Sequence, residues 1–382
     1  MNNNNKPGVI VIGGHVQGLG IIRVFGKNNI PVILLDDTKH NIGRYSRYLE
    51  KFFFTPKNQI LDQLLILKKE NCFQNWLILP TNDFQVKILS QNFKELSGYF
   101  KISTAPWDIV IKCYNKINTY KIAKSLEIDI PDTFFPKDKA ELKNIEIEFP
   151  CIIKPAVMHT FHEKTKKKVL ICKNKEELAV NYDRALHLIP RDEIIIQEII
   201  KGSSYNQYSA CFLYTKNKII NCITVRRKRQ HPIDFGNATT YAETVEITEL
   251  KEKGEKLLNS INYNGICEIE FKYDDHDKKY KFLEINPRTW KWHYISEAAK
   301  VPFLLNLYKL HNNLNLEITE TWQESAWTHI LTDVFIRFLH FIKRQKTKKE
   351  IRSNKIYAVW DTKDLKPFIM EKLLLVYLII KR

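Results

Sequence analysis

Two strand-like runs, GICEIEFKY (265–273) and KYKFLEINPR (279–288), face each other across a short polar turn, which is the signature of a β-hairpin. Side chains two apart on a strand share a face, so Glu284 and Asn286 project together, and Arg288 continues that side beyond Pro287. A turn about Asp277 sets Glu270 opposite Glu284. Two carboxylates and an amide oxygen then converge on one ribbon, a hard-oxygen set of the kind Mg²⁺ prefers. Side by side without a cation, the two acids would repel each other. The competing interpretation is a solvated acidic face, because Glu268 lies on the same side as Glu270. Spacing alone leaves both open.

The rest of the chain supplies a frame for such a hairpin. At 382 residues it is long enough for two or three domains. Residues 8 to 112 alternate short apolar runs (GVIVIGG, PVILLDD, NWLILPTND) with amphipathic stretches, the pattern of a small parallel sheet with helices on its faces. A second unit follows: a helix in NKINTYKIAKSLEI, then strands in IPDTFF, FPCIIKPA and DEIIIQEIIKG. Antiparallel signals dominate the third, with YNQYSACFLY and NKIINCITVRRKR joined by a short turn ahead of the hairpin. Beyond Leu314 the pattern is helical, aromatic and basic. The expected domains are 1–112, 113–201, 202–312 and a helical extension over 313–382.

Seven scattered cysteines without a C-x-x-C spacing argue against disulfide and metal–thiolate frameworks, and a reducing cytoplasm fits them. No apolar run is long enough for a spanning helix. The net charge of +17 suits a polyanionic small molecule, an anionic membrane surface or simply solvated faces. Nucleic acid is not expected, since no aromatic stacking platform accompanies the VRRKR cluster.

With these residues in view, GICEIEFKY…KFLEINPR resembles the metal-binding hairpin of the ATP-grasp superfamily, in which Glu-Phe, a turn and Glu-x-Asn-x-Arg recur. The resemblance covers residues 8 to 312. It implies an α/β fold, α+β in its nucleotide part: a Rossmann-like domain, then a two-lobed ATP-grasp domain with a mostly antiparallel core sheet. It also implies that Glu270, Glu284 and Asn286 bind Mg²⁺, for which Mn²⁺ can substitute, bridging ATP phosphates, and that Arg288 faces the reacting phosphoryl or acyl-phosphate group. Lys116 and Lys154 match the family's phosphate-contacting lysines, and the backbone around Glu198 and Ile200 its adenine hinge. Strand alternation puts Arg226 and Lys228 on one face and Arg227 and Arg229 on the other, and Lys228 is assigned to the transferred phosphate. Two departures stand out. The segment after Lys154 lacks the family's flap glycines, leaving Lys166, Lys167 or Lys168 to close the lid, and Ser203, Ser204 and Tyr205 stand where an acid often follows the hinge.

The implied chemistry is ligation: ATP activates a small carboxylate as an acyl phosphate, and an amine, or less often a thiol, displaces phosphate. The nearest branch is that of carboxylate–amine ligases including D-aspartate ligase, with carbamoyl-phosphate synthase large-chain domains more distant. An ATP-binding sensor or assembly protein on the same fold is the alternative. A nicotinamide-dependent oxidoreductase is a lesser one, because GGHVQGLG puts His15 where a dinucleotide fingerprint wants its second glycine. The opening loop instead favours an anionic substrate group at a helix start, with His15, Gln17, Asp83 and His293 as substrate contacts. Trp290 and Trp292 either line the acceptor pocket or pack. Finally, WTHILTDVFIRFLHFIKRQKTKK carries aromatic bulk followed by cations, as helices at a membrane surface do, although a docking helix with a solvated basic end has the same composition.

Overall fold

In the computed structural model, three apolar runs near the start form the middle of a parallel sheet. The structure describes residues 6–157, 169–233, 238–319, 321–342 and 353–380, together with 161, 165, 236, 350 and 351. Strands β1 (Val9–Ile12), β2 (Val32–Asp36) and β4 (Leu77–Pro80) are buried along their whole lengths, which explains their unbroken apolar sequences. β3 (Lys51–Phe54) and β5 (Lys101–Ile102) complete the order β3-β2-β1-β4-β5. The order reverses between β1 and β4, so the loops after these strands flank a crevice at the carboxyl edge. Five helices belong to this unit: α1 (Val16–Lys27), α2 (Ile60–Lys68), α3 (Asp83–Gln91), α4 (Phe93–Ser97) and α5 (Trp107–Tyr114). Asn82 caps α3 through a reciprocal pair of bonds with Gln85, which fixes the Thr81–Asp83 loop.

Helix α6 (Lys116–Ser125) leads into a four-stranded antiparallel sheet, β6-β9-β7-β8, made of β6 (Thr133–Phe134), β7 (Cys151–Pro155), β8 (Leu170–Cys172) and β9 (Ile194–Glu198). Asn115 caps α6. Helix α7 (Lys175–Leu186) packs against this sheet.

A seven-stranded sheet follows in the order β14-β13-β10-β11-β12-β15-β16. Its long members are β10 (Gln207–Thr215), β11 (Lys218–His231), β12 (Ala238–Thr244), β13 (Gly265–Tyr273) and β14 (Tyr280–Asn286). One face is mainly apolar: Ala210, Phe212, Ile269 and Phe271 pack with Leu257 and Leu258 of α8 (Thr248–Ser260). The opposite face changes character along the strands. At one end Leu213, Ile223 and Ile266 join α1, α9 (Ile295–Ala299) and α10 (Phe303–His311) in a core shared with the first sheet. At the other end Ser209, Arg227, Glu268 and Glu270 occupy the same alternating positions.

The stretch beyond Leu314, expected to be wholly helical, also supplies two strands, β15 (Ala326–Thr328) and β16 (Lys355–Tyr357), to this sheet. Three residues each, they are too short for alternation to register. Helices α11 (Ile330–Ile342) and α12 (Lys366–Ile380) make up the helical part. Arg23 of α1 ties this segment down, its guanidinium donating to Asp364 and to the carbonyl of Val359.

Candidate functional site

The hairpin turn is held by its own acids. Lys281 forms ion pairs with Asp274 and Asp277, both at 2.8 Å, and Lys278 adopts a left-handed backbone with φ 58°. This fixes a register in which Glu270 faces Glu284 and Glu268 faces Asn286. Past Glu270 the register slips, so Leu283 bulges and its carbonyl accepts the Tyr120 hydroxyl at 2.9 Å.

Cations meet the two facing acids of this ribbon. Lys116, at the start of α6, lies 2.5 Å from Glu284. Arg227 Nη1 lies 2.5 Å from Glu270 Oε2, and its Nε donates to Thr239. Asn286 Nδ2 donates to Glu270 at 2.9 Å and Glu268 at 3.2 Å, while its Oδ1 accepts from Arg288 at 3.2 Å. Arg288 reaches on to Asp83 at 2.6 Å, joining the ribbon to the loop before α3. Burial, reinforced by the neighbouring Glu270 charge, pushes Glu268 up to about 8. Ser209 donates to its other oxygen at 2.8 Å. Lys154, buried at the end of β7, donates to the Tyr120 hydroxyl at 2.8 Å. The Lys116 backbone N–H donates to the Ala156 carbonyl, which holds the two lysines in one region.

Glu270, Glu284 and Asn286 therefore offer two carboxylates and an amide oxygen on one face, a donor set that fits Mg²⁺. Among the described residues no group of three or more His, Cys, Asp or Glu is gathered to hold a metal by itself. Glu270 and Glu284 instead turn toward Arg227 and Lys116.

Other expected residues fall as follows. Glu198 ends β9 and accepts from Lys281 at 2.7 Å, and the Ile200 carbonyl accepts from Lys272 at 2.8 Å. Lys228 does not share the ribbon's face: it bulges out of β11 between Arg227 and Arg229 and pairs with Glu243. Arg227 is thus the cation of this cluster that contacts the ribbon, on the face opposite Lys228, as alternation separates them. Arg229 is committed to Asp333 and Glu350. The lysines at 166–168 lie outside the described residues.

At the crevice of the first sheet, a cavity of about 640 Å³ is lined by Gly13, His15, Asp37, Asn82 and, from the C-terminal segment, His329 and Leu374. His15 Nδ1 accepts from the Gln17 N–H, which leaves Nε2 to donate to Thr81 Oγ1 at 3.1 Å. Desolvation in the crevice, with the nearby Arg288 charge second, holds His15 below its ordinary value, although its side chain is exposed to the cavity. Gln17 and His293 do not face this cavity. Gln17 is buried and donates to Thr289, and His293 is buried beneath α1, its Nε2 3.0 Å from the Gln17 carbonyl. Trp290 and Trp292 pack in the shared core. The Asp36 carboxylate accepts the N–H groups of Gly14 and Thr38, so both its oxygens are engaged in shaping its own loop. That geometry weighs against a dinucleotide in the glycine turn.

Comparison with known proteins agrees with this arrangement. The family model described as carbamoyl-phosphate synthase L chain, ATP binding domain, matches residues 115–319, over half of the chain. D-aspartate ligase of Enterococcus faecium (strain Aus0004) is 22% identical over 242 residues, 60% of this chain and 57% of that protein, so the match spans little more than half the relative's length. Among solved structures, N5-carboxyaminoimidazole synthetase from Staphylococcus aureus superposes with a TM-score of 0.66 at 16% identity, covering 90% of this chain and 88% of the other. The L-amino acid ligase from Bacillus licheniformis does so with a TM-score of 0.60 at 14% identity, covering 81% and 75%. These likenesses show a shared fold.

Proposed function

The chain belongs to the carbamoyl-phosphate synthase L chain ATP-binding domain family, within the ATP-grasp superfamily, and from that premise we propose that it joins a small carboxylate to an amine at the expense of ATP. The observation that carries this is the charged ribbon: Glu270 opposite Glu284, Asn286 beside them, and Lys116, Arg227 and Arg288 in contact. The D-aspartate ligase relative supports an amide-forming outcome.

Glu270, Glu284 and Asn286 would hold Mg²⁺, which would supply charge neutralisation on the phosphate oxygens. Lys116 and Lys154 would hold the phosphate tail as compact point charges, with adenine at the Glu198–Ile200 hinge. An oxygen of the substrate carboxylate attacks the γ-phosphorus, and the bond to the ADP oxygen breaks. The amine nitrogen then attacks the acyl carbon of the mixed anhydride, phosphate leaves, and the nitrogen gives up a proton. Arg288, with Arg227 behind it, meets the oxygens that gain negative charge in both steps, so the protein's contribution is positioning and electrostatic stabilisation. His15 faces the cavity beside this ribbon and is the substrate contact we assign there, with Asp83 orienting Arg288. Gln17 and His293 hold α1 in place. We take the domain boundaries as 1–112, 113–201 and 202–312, with the remainder built onto the core sheet and the first crevice.

The test is ATP-dependent phosphate release with panels of amino acids and small acids. Release that requires both a carboxylate and an amine, with stoichiometric ADP and amide, supports the proposal. ATP binding without turnover across the panel would make the chain a nucleotide sensor instead.

A further inference from the structure

Helix α11 is built inside out. Its inward side carries Asp333 and His340 along with Ile336, all at most 4% exposed. Asp333 accepts from Arg229 Nε and Nη2, both at 2.7 Å, and from Thr240 Oγ1 at 2.9 Å. His340 Nδ1 lies 3.5 Å from the Tyr205 hydroxyl. The outward side carries Val334, Phe335, Phe338, Phe341 and Ile342, from 50% to 80% exposed. These positions follow i, i+1, i+4, i+7 and i+8, a single stripe along the helix. A helix on a soluble domain ordinarily turns its apolar stripe inward, so the exposed phenylalanines need another explanation.

The stripe carries its own cation: Arg337 lies on α11 among these residues with a half-exposed side chain, 3.7 Å from Glu350. In sequence, α11 runs directly into Lys343-Arg344-Gln345-Lys346-Thr347-Lys348-Lys349, which lie outside the described residues, on a chain of net charge +17. No described helix is long and apolar enough to cross a membrane.

We propose that the α11 stripe lies in the interface of an anionic lipid bilayer. Phenylalanines would enter the headgroup–acyl boundary while the bordering cations meet lipid phosphates. Charge decides this occupant. A second copy of the same chain would bring its own cations against these, whereas an anionic bilayer offers both an apolar interior and the opposite sign.

The experiment is flotation of the full chain with vesicles of phosphatidylglycerol and phosphatidylcholine, and with phosphatidylcholine alone. Phe338→Ser/Phe341→Ser removes two exposed side chains, and near-UV circular dichroism checks that the fold is kept. The wild type is expected to float with the anionic vesicles and to do so roughly tenfold less with phosphatidylcholine or in about 0.5 M salt. The double variant is expected to lose flotation by a similar factor. Equal flotation of wild type and variant, or no flotation of the wild type, overturns the proposal. So does light scattering that shows a dimer broken by the double variant together with no vesicle binding, which would give the stripe to a second copy.

Discussion

Arg227→Met tests the charge arrangement of the ribbon. Arg227 and Glu270 are 6% and 17% exposed at their side chains and lie 2.5 Å apart. Removing one partner of such a buried pair costs about 3–5 kcal/mol, because the other charge is left without compensation. Here the lower end applies, since Asn286 still donates to Glu270. The substitution also leaves Glu268 and Glu270 adjacent on one face without their shared guanidinium. Equilibrium urea denaturation followed by tryptophan fluorescence should show a loss of about 3 kcal/mol. The double variant Arg227→Met/Glu270→Gln should recover about 2 kcal/mol of it, which is the coupling a double-mutant cycle isolates. Mg²⁺ should stabilise Arg227→Met more than the wild type, because a cation at the ribbon then relieves an unpaired carboxylate. A single variant as stable as the wild type, or a double variant no better than the single one, would refute the proposed role of Arg227 as internal counter-ion.

Further measurements probe other parts of the molecule. Glu284→Ala and Lys154→Ala should each lower amide formation by about 10²–10³-fold with unchanged near-UV circular dichroism, while near-normal turnover in either removes that residue from the site. Burial pushes Glu297 up to about 7 from its ordinary 4.5, so the folded state holds the proton longer and stability falls as pH rises through that window. Glu297→Gln should therefore be more stable than the wild type by about 2 kcal/mol at pH 8 and nearly equal at pH 4, as read by denaturation at both values. Gly13 has φ +96° and a Cβ there would lie 2.1 Å from Thr81 Oγ1, so Gly13→Ala should cost about 1–3 kcal/mol in the same assay.

The acidic hairpin was legible because its form lies in local spacing. Alternation and a polar turn bring Glu270 opposite Glu284 with no knowledge of the rest of the chain. The parallel sheet was legible for a related reason, since strands buried on both faces leave unbroken apolar runs. Alternation separated Arg227 from Lys228, but nothing in VRRKR tells which of the two faces meets the hairpin, because that depends on strands distant in sequence. His293 and Gln17 presented polar side chains near the expected site. Their burial where α1 meets the segment after the hairpin depends on contacts between residues 276 and 272 positions apart, which no local pattern encodes. The strands β15 and β16 escaped notice because three residues carry too little periodicity to distinguish them from a loop.

The contact between Asp83 and Arg288 joins side chains 205 positions apart. A chimera that exchanged only the first hundred residues with a relative would import a foreign loop at the place where this arginine docks. Such a chimera would keep the centre only if the acid travelled with its guanidinium partner, so the first sheet's loop and the hairpin form one functional unit although they belong to separate sheets.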